Sequence, residues 1–410
     1  GVRTRYSDDL VWLPFTTFEY VDFTGDYAVL DEEIGWLAAG ELRPEEKDRY
    51  FKPERTDYKS SLYEHCIRAI NRASTRGQHR LPLIGSGDWN DGFSLVGIKG
   101  RGESVWLAMF LAITLDRFAG ICERRGDGGT ANEFRKRAAE YRQAADKCFV
   151  KDRYIRAFFD DGSPLGLPGS GECEIDSLTQ SFSVLCGLSP EKTKAALDTA
   201  LDLLVDRQSG IIKLLSPPFA RSYAEERTDD RRNPVGYITA YPPGLRENGG
   251  QYTHAAVWLA IAFLESGRAD EGVELLKLLS TAHKYASGLG ERYKGEPYAL
   301  AGDVYSNPEC PGRAGWTQYT GSASWYYTAV LRYLLGLNPH GSRLELRPRL
   351  PSGWNDVDLS IRINQTPLKI SYRRGSPGLT VDGAPAPFVP LDGRPHYVVL
   401  TIEQSGFQSE

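Results

Sequence analysis

Eight residues at positions 85–92, "GSGDWNDG", set two carboxylic acids, an indole and a carboxamide among three glycines. Loops this dense in reactive groups are more often sites than connectors. Trp89 offers a flat apolar face to a pyranose ring, and a carboxyl from Asp88 or Asp91 can hand a proton to a glycosidic oxygen. A plainer reading is a tight turn whose acids cap backbone amides. A calcium loop does not fit: after Asp88 and Asn90 the next acid comes one place early, and Lys99 stands where a bidentate Glu is required.

Three further stretches carry chemistry. "ENGGQYTH" at 247–254 joins Glu247 to a double glycine that lets backbone approach a ligand closely, and ends on His254 at the start of an apolar helix. A lone His there also reads as a hydrogen-bonded structural residue. "GWTQYTGSASWYY" at 315–327 places Thr320, Gly321 and Ser322 at a helix start, where free N–H groups and hydroxyls suit an anion or a simple N-cap. "GVRTRYSDDL" at 1–10 offers Arg3 and Asp8, either as solvated charges or as bidentate partners for sugar hydroxyls. No Walker motif occurs, which disfavours nucleotide binding.

These residues need a frame. Helical spacing is expected over 10–20, 28–39, 105–125, 175–185, 192–205, 254–265, 270–279 and 320–335. Ser61 and Glu64 have capping-box spacing ahead of the Leu62, Cys66, Ala69, Ile70 face, and Phe134, Ala138, Tyr141, Ala145 and Cys148 make another stripe. Several of these helices are apolar on more than one side and must be covered twice. Helix pairs around a central cavity, an (α/α)6 barrel over 1–338, fit this texture. Beyond it, "RLELRPRLP", "DVDLSIRI", "TPLKISYRR" and "HYVVLTIE" alternate apolar and polar residues, so 339–410 is expected to be a small antiparallel β domain.

The chain has 410 residues and a net charge of −5 with no basic block, so nucleic acid is not an expected partner. The apolar run at 105–115 is too short to span a membrane and reads as a buried helix. Six scattered cysteines without a CxxC pair point to a reducing compartment and away from zinc; no metal is expected. The chain opens on Gly1, straight into a charged motif, and is expected to be part of a longer polypeptide.

The four stretches, in this order, resemble the cellobiose phosphorylase family of inverting glycoside phosphorylases. The similarity is strongest to its cyclic β-1,2-glucan synthase and 1,2-β-oligoglucan phosphorylase branch. "RTRYSDDLVWLPF", "GRGESVWLAMFL", "CEIDSLTQS", "EPYALAGDVYS" and "GRAGWTQYTGSASWYY" carry the resemblance along nearly the whole chain. Where cellobiose-type members have Cys after DWND, this chain has Gly92, which favours the β-1,2-glucan branch.

The resemblance implies an (α/α)6 barrel with Asp91 as proton donor beside Trp89. It implies phosphate held by His254, Thr320, Gly321 and Ser322, and a donor sugar held by Arg3 and Asp8. Asp88, Asn90, Glu247, Asp176 and Gln180 are expected at acceptor-sugar or supporting positions. The implied partners are a β-glucan oligosaccharide and phosphate, the remainder of a longer polypeptide, and a second copy in a homodimer. The implied setting is cytoplasmic, including the cytoplasmic part of an inner-membrane synthase, with no cofactor beyond phosphate as co-substrate. Two rival readings remain: an inverting hydrolase with a second carboxylate as base, and a non-catalytic glucan-binding module of a larger synthase.

Overall fold

In the computed structural model, which describes residues 1–43, 46–226, 235–318 and 320–403, the apolar run becomes the Val105–Arg124 helix. Ser104 caps it, its Oγ accepting the Leu107 N–H at 2.9 Å. The helix is buried on nearly every side, because the helices Asp9–Thr24, Gly128–Asp146 and Ser177–Leu185 all pack on it. It alone among the described helices has the length and apolarity to cross a membrane, and its residues are spent on this core.

Five helices contribute to the inner ring: Asp9–Thr24, Val105–Arg124, Ser177–Leu185, Thr253–Glu265 and Thr320–Thr328. Each sends one aromatic side chain to a single layer. Trp12 meets Phe110 at 4.5 Å between ring centroids, Phe110 meets Phe182 at 6.0 Å, and Phe182 meets Trp258 at 5.0 Å. Trp258 then meets Trp325 at 5.4 Å and returns to Trp12 at 6.4 Å. Large rings of this kind dominate core energetics, each burying on the order of 150–250 Å².

Leu62–Ala73, Gly128–Asp146, Pro190–Leu204 and Ala269–Leu279 pack outside, each on the inner helix that precedes it. The Ser61 cap forms as the spacing predicts, its Oγ accepting the Glu64 N–H. Glu19 ties the ring at its far end by accepting from both Arg117 and Arg332.

Three expectations need correction. Residues 28–39 are not a helix. Ala28–Asp31 makes one 3₁₀ turn, and Glu33–Ala38 is a strand paired with Glu54–Ser61. Cross-strand pairing and the stacking of Trp36 on His65, 3.9 Å apart, outweigh local helical spacing there. The last helix does not run evenly to 335: after Thr328 it widens into a π-helical stretch, Ala329–Leu334.

The C-terminal sheets are also not wholly antiparallel. A three-stranded sheet is formed by Leu337–His340, Arg343–Leu346 and Val389–Pro390. A five-stranded sheet pairs Thr366–Arg374 antiparallel with Asp356–Ile363 and parallel with His396–Ile402. The excursion through Gly378–Val381 and Val389–Pro390 returns the chain in the same direction, which makes that one pair parallel.

Candidate active site

The inner helices begin at one end of the ring, and the four motifs meet there. The first motif lies along the second: Ser7 N–H donates to the Gly87 carbonyl at 3.0 Å, and Ser86 N–H to that of Arg5 at 3.2 Å. Gly85 has φ +63°, and a Cβ there would fall 2.2 Å from the Arg5 carbonyl oxygen, so the close approach needs glycine.

Beneath the loop lies a buried ion triad. Arg156 sends Nη2 to Asp88 Oδ1 at 2.6 Å and Nη1 to Asp88 Oδ2 at 2.7 Å, while its Nε reaches Asp176 Oδ2 at 3.2 Å. Asp88 also accepts the Ser104 hydroxyl, and Asp176 caps the Ser177–Leu185 helix through the Leu178 N–H. Burial raises the Asp176 carboxyl to about 6 against the opposing pull of Arg156. Gln180 is spent on the Tyr154 N–H and carbonyl.

None of these three side chains exposes more than 2% of its residue surface. Asp176 and Gln180, expected at acceptor-sugar or supporting positions, take the supporting one, and Asp88 joins them: their polar atoms hold the loop and the helix start from below. The capping reading of the loop holds in part, since Asp88 accepts the Asn90 N–H and Asn90 the Gly92 N–H.

Asp91 opens a 3₁₀ turn, Asp91–Phe93, and stays half-buried. Tyr237 faces it, and burial, then interaction with the Asp91 carboxylate, pushes the Tyr237 phenol up. Gly236 presses its backbone on the turn; a Cβ there would fall 2.3 Å from the Gly92 carbonyl oxygen. Tyr6 lies on the other side, its phenol pushed to about 12 by burial and then by the charge of Asp91.

Trp89 joins the acid loop to the third element. Its Nε1 donates to His254 Nδ1 at 3.3 Å. An indole nitrogen only donates, so Nδ1 must accept and the neutral ring carries its proton on Nε2. That Nε2 is sealed from water and has no partner among the described residues. Burial lowers the His254 pKa to about 3, so the ring is a neutral N–H donor across the working pH range. Trp325 stacks on His254 at 5.8 Å, and Ser322 lies one turn before it on the same helix. Ser322 is buried with its hydroxyl unpartnered, Gly321 is exposed, and the side chain of Thr320 lies outside the described part of the molecule.

Of a third wall, only Glu247 was read from the sequence. Glu247 is buried, its Oε2 without a hydrogen bond but 3.4 Å from Arg246 Nε, and burial, then the charges of Asp91 and Asp303, raise its carboxyl against Arg246. Asp303 pairs across a short ladder from Tyr252, is buried, and likewise keeps Oδ2 unbonded. Arg246 stacks over Trp316 at 4.5 Å and Tyr241 at 5.0 Å. The pairing that sets Asp303 opposite Tyr252 is long-range.

Arg3 sits on the Val2–Thr4 strand, half-buried and without a partner among the described residues. Asp8 is buried with one bond, from Trp12 Nε1 at 2.8 Å. Burial raises its carboxyl to about 7, helped by the Asp88 charge. A carboxyl raised above its unfolded value favours the fold fully below about pH 4, and that contribution is lost as pH climbs through 7. Asp8→Asn is therefore expected to raise the melting temperature at pH 8 by about 2–4 °C or more, with no gain at pH 4; calorimetry at the two pH values checks this.

Acids, aromatic walls and unpartnered buried donors gathered at one end of a helical ring define the catalytic domain of a carbohydrate-active enzyme. Comparison with known proteins gives the family. Residues 1–336 match the catalytic domain of the glycosyl hydrolase 94 superfamily, and the chain belongs to it. It is 40% identical over 380 residues to the cyclic beta-(1,2)-glucan synthase NdvB of Rhizobium meliloti (strain 1021), covering 92% of this chain and 13% of that protein. It is 29% identical to the solabiose phosphorylase of Paenibacillus borealis, over 92% of this chain and 47% of the relative. A cellobionic acid phosphorylase of Neurospora crassa is 28% identical, over 91% and 44%.

The chain thus spans half or less of these curated relatives. Among solved structures, a sialidase (TM-score 0.51, 12% identical, 73% of this chain and 26% of that one) shares the fold. So does a GH78 rhamnosidase of Bacillus sp. GL1 (TM-score 0.50, 12% identical, 98% and 34%).

Proposed function

We propose that this domain carries out inverting phosphorolysis of a β-1,2-linked glucan, giving α-glucose 1-phosphate and a glucan one unit shorter. The observation that carries the reading is two buried, unpartnered donors: His254 Nε2, whose ring is joined through Trp89 to the loop of Asp91, and Ser322 Oγ, one turn from the Trp325 that stacks on His254. Buried polar groups in native proteins are almost always satisfied, so orphans at one site call for a ligand. Five helix N-termini at the same end add a field that favours an anion.

Asp91 protonates the glycosidic oxygen as the bond to the anomeric carbon breaks. A phosphate oxygen, held by His254 and the Thr320 turn, forms the new bond from the opposite face. No second carboxylate is required, because phosphate is already an anionic nucleophile. Arg3 and Asp8 hold the donor sugar; Glu247, Asp303 and Arg246 face the departing one.

The similarity to the glucan synthase supports β-1,2 linkage and a longer polypeptide; the six free thiols fit a reducing, cytoplasmic setting. The five inner helices are read as part of an (α/α)6 toroid, with the domain boundary near residue 338.

The test is incubation with β-1,2-, β-1,3- and β-1,4-oligoglucans, with and without phosphate. Glucose 1-phosphate should appear from the β-1,2 substrate only when phosphate is present. Equal cleavage without phosphate would make the chain a hydrolase, with Glu247 the nearest candidate base.

Tyr237→Phe probes the hold on the acid. Losing the interaction of its hydroxyl with the Asp91 carboxylate, about 1–1.5 kcal/mol on the scale of a hydrogen bond, should lower kcat roughly tenfold while leaving the KM for phosphate unchanged. Steady-state kinetics in both substrates separates these parameters.

A further inference from the structure

The helices that start at the active site also line a second cavity. It has a volume of about 300 Å³, and all five inner helices line it, the last through its α and π segments. Along the Thr253–Glu265 helix, His254 marks the first site and Glu265 the mouth of the second. Eleven residues at 1.5 Å each put them roughly 16 Å apart. The aromatic layer separates the two: Trp258 and Trp325 touch His254 and also wall the cavity.

The mouth opens to water and is polar. Arg349 bonds Glu265 at 2.9 Å, and Arg332 bonds Asn338 at 3.2 Å while sharing Glu19 with Arg117. Arg347, two-thirds exposed, pairs with Glu345. Four arginines thus face three carboxylates, and the C-termini of the two helices that end there, Ser177–Leu185 and Thr253–Glu265, set partial negative charge against the remaining cation. A net ion of either sign would unbalance this arrangement. What the rim does offer is forked donors beside carboxylate acceptors, above indole walls. That combination suits a neutral polyhydroxylated ring, which stacks on aromatics and takes bidentate bonds from planar polar groups.

We propose that this axial cavity is a second saccharide-binding site, distinct from the catalytic one and taking a neutral hexose unit. It does not depend on the phosphorylase reading, because no residue named at the rim belongs to the catalytic end.

Equilibrium dialysis of the chain against labelled glucose, without phosphate, counts sites. Two per chain are expected. Ile113→Trp, which fills the cavity from the Val105–Arg124 helix, should remove one site and keep glucan turnover within about twofold of the parent. Arg347→Ala, at an exposed position that folding tolerates, should weaken only that site, by severalfold.

A single site in the parent chain, or two undiminished sites in both variants, would overturn the proposal. So would indole displacing glucose from the Ile113-dependent site at tenfold lower concentration, since the cavity would then select an apolar body. Failure of glucose 1-phosphate release with two glucose sites intact would sink the phosphorylase reading alone.

Discussion

Asp91→Asn should abolish phosphorolysis while leaving glucan bound. The substitution keeps the shape and hydrogen-bonding reach of the side chain but removes the transferable proton. General acids contribute about 10²–10⁴ to rate, and the loss should fall in kcat. Substrate affinity, measured by calorimetry, should barely move, because Trp89, Arg3 and Asp8 are untouched. A fluoride leaving group, which needs no protonation, gives a sharper check. Phosphorolysis of β-glucosyl fluoride should survive in Asp91→Asn far better than that of glucan. Near-parental rates on glucan in this variant would remove Asp91 from the mechanism.

The second large effect concerns stability. Arg156→Leu should destabilise the fold by roughly 3–5 kcal/mol, the range for removing one partner of a buried ion pair. It would leave Asp88 and Asp176 both buried with no cation between them. The loss has a pH signature. Without Arg156 the two carboxyls are best accommodated protonated, so the penalty should shrink as pH falls toward 4 and grow toward 8. Denaturant unfolding of parent and variant at both pH values measures this. The ion triad also sets the height of the acid loop, so the variant should lose turnover even where it remains folded.

Much of the architecture was legible in local pattern. Capping spacing, the apolar run at 105–115 and the alternation after 337 each come from neighbours in sequence, and each became the element it resembles. The Glu33–Ala38 strand was missed because its partner lies some twenty residues on, at Glu54–Ser61, and no local signal outranks that pairing.

The site divides in the same way. Asp91, Trp89, His254 and Ser322 stand in dense motifs and were named from the sequence. Tyr237, Asp303 and Arg246 were not, because their roles come from loops brought together only in the folded ring. Whether Asp88, Asp176 and Gln180 touch sugar or support the site stayed open in the sequence for a related reason. A carboxylate in a motif looks the same whether it faces a ligand or an arginine behind it, and the Arg156 that decides the matter sits 68 residues from Asp88.

The bond from Trp89 to His254 has one more chemical consequence. With Nδ1 occupied, the imidazole shows its ligand a single uncharged N–H, which senses a tetrahedral oxyanion by outline and charge rather than by its central atom. Arsenate should therefore be accepted in place of phosphate. The glucosyl arsenate so formed breaks down spontaneously in water, turning a reversible exchange into one-way release of free glucose.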